Sequence, residues 1–461
     1  MDAIAPNIVY IPVNCARKKA PCPQCGKMAR RKRVLQRQVR TIAYQKIAYL
    51  DITYGEYAAR CGCCTTFRTS PDDVLPKAAY DNRVRQAVLD RILEDGLNLE
   101  TVRQCMRRDF LLDLSSGFVY DCLHEAVQQL ELPEHRQQVV ARFSGTLSID
   151  ELHLGRYTLL LATDPLGDFP VAFALVGAND QDHMRRFLQN LKAGGLLPRV
   201  VVTDGSNLYP TVLTELWPAA QHQLCVFHVI KDINQLILDG VKRLRRQLAR
   251  KGKRGRRRTR GRPRKGQRRP RRKLTCKDKA HFVFKHRYLI VTRRENLSKR
   301  QRHDLRTMLE YLPELAVLRL FADHVYRLFD ATTVRQARSR WRALQQHAAF
   351  AQLPELVKAL AMLDRPKFDK MIAFLHSPAG QRVRTNNHVE RANRKLRYYE
   401  KVRYKWRRRR TLVRFLLLAL DRWWRAAFAP SPPALEPTSS DPSQLHDCEA
   451  TPTQKPKRKA A

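Results

Sequence analysis

The chain has 461 residues with 88 Lys+Arg against 43 Asp+Glu, a formal net charge of +45, and an excess of that size calls for a polyanionic partner. Hydrophobic residues make up 43%, which excludes a wholly disordered chain, and the length allows about three domains. The 25 Pro and 18 Gly are too few for a fibrous sequence. The most apolar stretch, residues 411–428, is interrupted by Arg414, Asp421, Arg422 and Arg425, so it reads as an amphipathic helix and no membrane partner is expected. The N-terminus opens Met-Asp-Ala-Ile-Ala-Pro, without the basic and apolar regions of a secretion signal, which suggests a cytoplasmic, reducing location. The eleven Cys are then expected to be thiols and metal ligands rather than disulfides.

In chain order, residues 1–75 read as a zinc-binding cysteine module. Cys22 and Cys25 form one Cys-x-x-Cys knuckle and Cys61 and Cys64 a second, with Cys63 as an alternative fourth ligand. Four thiolates at that spacing suit tetrahedral Zn²⁺. Between the knuckles, residues 39–57 have hairpin composition, with turn residues at Asp51 and Gly55. Residues 80–140 turn helical, and breaks near residues 99 and 114–117, with Ser115 or Ser116 as an N-cap, give helix-turn-helix punctuation suited to DNA.

Residues 145–240 carry strand signals at 146–150, 157–163, 171–176 and 199–203, a helix at 181–193, and a short strand at 221–225. Strands in meander, then a helix, then an apolar strand give an α/β fold class with mixed strand directions. Residues 241–275 interrupt it: 20 of the 32 residues 242–273 are Lys or Arg and none is acidic, which predicts an extended basic arm that packs no core. Inside the arm, Arg260-Gly261-Arg262-Pro263 resembles the core of a minor-groove hook, since Arg favours that narrow, negative groove. Residues 280–384 read as a helical insertion, 385–428 as final helices, and 429–461, with seven Pro, as a disordered tail.

Two carboxylates stand at strand ends, Asp150 in Ser-Ile-Asp-Glu and Asp204 in Val-Val-Thr-Asp-Gly. Neighbouring strands with acids at one edge bring hard oxygen ligands together, and these suit Mg²⁺ or Mn²⁺. A third acid on a packed helix, Glu390 in Asn386-Asn387-His388-Val389-Glu390, would complete a site for two ions. Glu151 is expected to point to the opposite strand face, and Asp164, Asp168, Asp180 and Asp182 fall in turns or at a helix start. Cys225 and His228 lie one helical turn apart where a strand meets a helix.

These words, with V-V-T-D-G-S-N-L-Y-P, C-V-F-H and T-N-N-H-V-E-R-A-N-R-K-L-R, resemble bacterial insertion-sequence transposases of the DDE type, closest to the ISL-three family. The resemblance spans about residues 15–425 and leaves out the arginine arm and the tail. It implies an RNase H-like catalytic core interrupted by the helical insertion, behind the N-terminal zinc-binding module and helix-turn-helix. It also implies a nucleoid-associated enzyme that binds transposon ends and performs metal-dependent strand cleavage and strand transfer. Asp150, Asp204 and Glu390 are the implied catalytic metal ligands, with Cys225, His228, Asn387 and His388 as active-site support. A homodimer or larger assembly on DNA is expected by the same resemblance. The alternative reading is a transposase-derived zinc and helix-turn-helix regulator that binds DNA without catalysis.

After Glu390, basic residues interleave with aromatics: Arg394, Lys395, Arg397, Lys401, Arg403 and Lys405 run beside Tyr398, Tyr399, Tyr404 and Trp406. Cations neutralise phosphates while rings stack on unpaired bases. Even without the arm's 20 cations the chain keeps a charge of +25. DNA affinity is therefore expected to fall steeply with salt, log K against log[salt] having a slope of about −0.9 per phosphate neutralised. Titration of a labelled duplex at several salt concentrations checks this, and salt-insensitive binding would contradict it.

Overall fold

The computed structural model describes residues 7–58, 61–62, 66–250, 274–402 and 408–428. A first sheet holds β1 (Ile8–Asn14), β2 (Lys19–Pro21), β3 (Met28–Thr41), β4 (Ile47–Ala58) and β5 (Thr66–Arg68). Its order is β1-β4-β3-β2, with β5 also on β4. The hairpin is longer than its composition suggested, and its turn lies elsewhere. Thr41 pairs with Ala48, so the chain reverses over residues 42–46, while Asp51 and Gly55 pair within β4 with Gln38 and Val34. Gly55 is needed for close approach instead. A Cβ there would lie 2.6 Å from the ring of Tyr57, which is fully buried and donates its hydroxyl to the Arg17 carbonyl at 2.7 Å.

Four helices follow: α1 (Asn82–Leu93), α2 (Leu99–Phe110), α3 (Ser116–Gln128) and α4 (Leu132–Arg142). Asp81, Asn98 and Ser115 cap the first three by accepting the N–H of Val84, Thr101 and Phe118. The buried Asp81 also accepts from the Thr41 hydroxyl at 2.5 Å, so one carboxylate starts α1 and fastens it to β3.

The second sheet holds β6 (Thr146–Leu154), β7 (Tyr157–Asp164), β8 (Phe169–Val176), β9 (Val200–Thr203) and β10 (Gln221–Leu224), in the order β10-β9-β6-β7-β8. β6, β7 and β8 form an antiparallel meander. β9 runs parallel to β6 and β10 parallel to β9. Parallel neighbours need crossovers. These are α5 (Gln181–Ala193) between β8 and β9 and the shorter α6 (Pro210–Leu216) between β9 and β10. The helices α14 (Asn387–Val402) and α15 (Arg409–Phe428) share one apolar core with α1, α2, α3 and the residues Leu152, Leu159 and Leu161 of β6 and β7.

β10 leads into α7 (Val226–Arg250), which carries the chain into a helical body of α8 (Cys276–Lys285), α9 (Lys299–Tyr311), α10 (Pro313–Phe329), α11 (Val334–Gln345), α12 (Pro354–Met362) and α13 (Arg365–Met371). Of residues 241–275, expected to form a basic arm, the first ten are helical, and residues 251–273 lie outside the described residues. Residues 241–250 are helical because Val241, Leu244 and Leu248 continue the buried stripe of Ile233 and Ile237, leaving the cations on the outer face. The helical body centres on Arg319, which is 2% exposed, donates to the Leu289 and Ile290 carbonyls at 3.0 Å each, and meets Asp323 at 2.6 Å. A buried guanidinium is tolerated because its two terminal nitrogens meet backbone carbonyls and a carboxylate. Among the described residues, no helix is long and apolar enough to cross a membrane.

Candidate active site

The registers of the second sheet bring Asp150 and Asp204 together. Thr146 lies opposite Val200 and Ser148 opposite Val202, and two residues further the same offset sets Asp150 beside Asp204. β9 stops at Thr203. Asp204 then begins a turn in which its Oδ1 accepts the Ser206 N–H at 2.9 Å and Gly205 takes φ +98°. Left-handed backbone at that residue favours glycine. The Asp150 Oδ2 accepts from the Asn393 side-chain amide at 2.8 Å.

Glu151 joins this pair, contrary to the expectation from strand alternation. One carboxylate oxygen each of Asp150, Glu151 and Asp204 lies within 4.8 Å of the others. Alternation fixes the direction of each Cα–Cβ bond, not the end of a long side chain. β6 has no β9 partner after Ser148, and past that open edge the Glu151 carboxylate comes within reach of the two aspartates. Behind Glu151 sits Tyr209, which is fully buried.

The placement of Glu390 depends on the three residues before α14. The Asn386 N–H donates to the Cys225 sulfur at 3.2 Å, its side-chain amide donates to the Ile149 carbonyl at 2.9 Å, and the Val226 N–H donates to the Arg384 carbonyl at 3.0 Å. Asn386 is fully buried. The chain returning from the helical body is thus clasped between the strand end before α7 and the residue preceding Asp150. From there α14 packs against β6 and β7. Glu390 faces Cys225 and His228, its Oε1 standing 3.7 Å from the His228 Nδ1, and the ligand atoms of the three residues lie within 4.8 Å of one another. Two donor groups result: an all-oxygen one at Asp150, Glu151 and Asp204, and a sulfur, nitrogen and oxygen one at Cys225, His228 and Glu390.

Their charges are coupled. Asp150 is pushed up from the ordinary 3.8 to about 6, first by burial, against the Asn393 amide, with the Asp204 carboxylate adding to the rise. Glu151 is pushed up from 4.5 to about 7, again first by burial, against the Tyr209 hydroxyl, with Asp204 and Asp150 adding. His228 is raised to about 9, first by the Cys225 side chain against burial, and further by Glu390 and Asp204. Among the described residues, Glu151 Oε1, Glu390 Oε1 and His228 Nδ1 are buried without a hydrogen-bond partner. Crowded, orphaned oxygens of this kind fit a divalent cation, which would satisfy them and relieve their repulsion.

The remaining expected residues divide. Asn387 is exposed at the start of α14. His388 turns away from Glu390, reaching the Thr163 hydroxyl at 2.8 Å and Asp168 at 2.9 Å, so it docks α14 on β7. Arg394, Arg397 and Lys401 are exposed, whereas the Lys395 ammonium lies 4.6 Å over the Trp423 ring. Arg260, Arg262, Arg403 and Lys405 lie outside the described residues, as do Cys63 and Cys64. Cys22, Cys25 and Cys61 offer sulfurs within 4.8 Å of one another. The backbone N–H groups of Gln24 and Cys25 hold the Cys22 thiol below its usual value, which favours the thiolate a metal needs. Asp164 and Asp180 do local work: Asp164 accepts from Ser144, Leu166 and Gly167, and Asp180 caps α5.

Asn386 and Asn393 carry roles that the sequence does not assign, and Glu151 is expected from the sequence on the opposite strand face. Asn393 had a legible signal, standing three residues after Glu390 on the same helix face. Asn386 had none that separated it from the adjacent Asn387.

The model of the DDE transposase family of ISL3 type, described as a transposase, matches residues 147–412, which is more than half of the 461 residues. No curated protein matches the chain. The matched span runs from β6 to the start of α15 and contains both donor groups. The chain belongs to the ISL3-type family of DDE transposases.

Proposed function

We propose that the chain binds the ends of an insertion sequence and cuts and joins DNA with two divalent ions at Asp150, Asp204 and Glu390. The observation that carries this reading is the pairing of two strand-end acids, Asp150 and Asp204, at one sheet edge, with the helix acid Glu390 near enough for its charge to act on Asp150. The sheet order, with an antiparallel meander followed by two parallel strands, supports an RNase H-like core. By the same reading, residues 1–75 are a zinc-binding module, 80–140 a helix-turn-helix unit, and 280–384 an insertion within the core.

Asp150, Asp204 and Glu390 would hold Mg²⁺ or Mn²⁺, which when bound lowers the pKa of an attacking water and stabilises the leaving oxygen. The chain's own residues set the geometry. Asn393 fixes the rotation of the Asp150 carboxylate, and Asn386 fixes the distance from β6 to α14. The exposed Arg394, Arg397 and Lys401 offer cations to phosphates along one face of α14, and Cys22, Cys25, Cys61 and Cys64 would hold Zn²⁺ as a structural ion.

The test is cleavage of linear DNA carrying the element's own ends, with strand joining assayed separately. Asp150→Ala, Asp204→Ala and Glu390→Ala are each expected to lower metal-dependent cleavage on the order of a thousand-fold, a loss of several kcal/mol of transition-state stabilisation. Near-normal cleavage by any of them removes that residue from the set, and cutting without joining favours a nuclease.

A second prediction follows from the raised carboxyls. Asp150 and Glu151 keep their protons to about pH 6 and 7 in the folded protein, while an unfolded chain releases them near pH 4. The folded state therefore binds more protons between these limits, and stability without added Mg²⁺ or Mn²⁺ falls as pH rises through that window. Thermal unfolding from pH 4.5 to 8 should show a shallower fall for Asp150→Asn than for wild type. Equal slopes would contradict the assignment.

A further inference from the structure

Four acids border the site, yet the three-acid reading uses Asp150, Asp204 and Glu390 alone. Glu151 is the one left over, and its position is unlike that of an idle surface glutamate. Its Oε1 is buried without a hydrogen-bond partner among the described residues. Its carboxylate shares a 4.8 Å neighbourhood with those of Asp150 and Asp204, while Glu390 lies in a separate group with Cys225 and His228. No arginine or lysine is paired with Glu151 among the described ion pairs, although the chain carries 88 such residues. Among the described residues of this basic chain, none of these three carboxylates is ion-paired with a lysine or arginine, which leaves room for a cation from outside.

A second observation points the same way. Tyr209 is fully buried, and its hydroxyl is turned to the Glu151 carboxylate. The carboxylates of Glu151, Asp204 and Asp150 all oppose its ionisation, which sets the hydroxyl among them. A phenylalanine would fill the same space without a buried hydroxyl to satisfy, so the hydroxyl serves the carboxylate it faces. The hydroxyl is explained if Glu151 turns one oxygen to a cation and presents the other to Tyr209.

We propose that Glu151 is a fourth carboxylate ligand, completing with Asp150 and Asp204 an all-oxygen site for one Mg²⁺ or Mn²⁺ ion, and that Tyr209 positions it. The inference rests on the three-acid reading and deepens it. The two ions are then unequally held: one by three clustered carboxylates, the other with Glu390 beside a sulfur and an imidazole. The all-oxygen set suits hard cations and should fill first.

The test is Mn²⁺ binding to the full chain, read by the electron paramagnetic resonance signal of free Mn²⁺ and by the Mn²⁺-induced rise in melting temperature. Glu151→Gln is expected to weaken the tighter site at least about ten-fold, as loss of a ligand does, and to lose most of the Mn²⁺-induced rise. Without Mn²⁺ it should melt at or above wild type, because one of three crowded anions is gone, and this shows that it folds. Asp204→Asn serves as the control for the underlying reading. Loss of binding in Asp204→Asn with wild-type binding in Glu151→Gln would overturn the role of Glu151 and leave the three-acid site standing. Unchanged binding in both variants would overturn both.

Discussion

Every feature of the candidate site depends on one clasp of hydrogen bonds around Asn386. Its backbone N–H meets the Cys225 sulfur and its side-chain amide meets the Ile149 carbonyl, so three points 237 residues apart at the extremes are tied within a single residue's reach. The clasp is fully buried, where each lost partner costs more than it would at the surface. Its consequence is positional. Ile149 precedes Asp150, Cys225 opens the turn that holds His228, and Asn386 starts the helix that holds Glu390. The helical body between α7 and α14 can then vary in size without moving the acids, provided both of its ends return to this point. Gln223 reinforces the arrangement, bonding the Met371 carbonyl at 2.9 Å and the Phe374 N–H at 2.7 Å.

The electrostatics of the site run opposite to those of the chain. A net charge of +45 surrounds a pocket of anions whose burial and mutual repulsion raise Asp150 and Glu151 toward neutral pH. A surface rich in cations attracts a phosphate backbone from a distance, while the buried acids repel it unless cations intervene. The same arrangement makes the acids a poor site for DNA alone and a good one for DNA with divalent ions. His228, raised to about 9 beside Glu390, adds a positive charge at the other side of the pocket.

Strand positions and helix caps were legible because they follow local rules. The Val200–Thr203 run, the capping Asp180 and the capping Ser115 each rest on apolar alternation or on a side chain reaching the N–H three residues on. The candidate acids were legible for a related reason, since strand ends and a helix start concentrate them in short motifs. What sequence reasoning missed is tertiary. The turn of the first hairpin was misplaced at Asp51 and Gly55 because the need for Gly55 comes from the ring of Tyr57. Residues 241–250 were given to the arm because charge outweighed the stripe of Val241, Leu244 and Leu248. Strand alternation sets Glu151 on the other face, but beside the open edge of β6 its longer side chain reaches the aspartates, and His388 reaches Thr163 and Asp168 instead of Glu390.

The central claim is that this sheet edge is built to hold divalent cations between acids brought together by the clasp. The most direct measurement is a crystal structure of the protein soaked in Mn²⁺, with anomalous differences recorded to locate the ion. The account predicts a peak coordinated by carboxylate oxygens of both Asp150 and Asp204. A saturated crystal with Mn²⁺ bound only elsewhere, and these two acids left without it, would contradict the account.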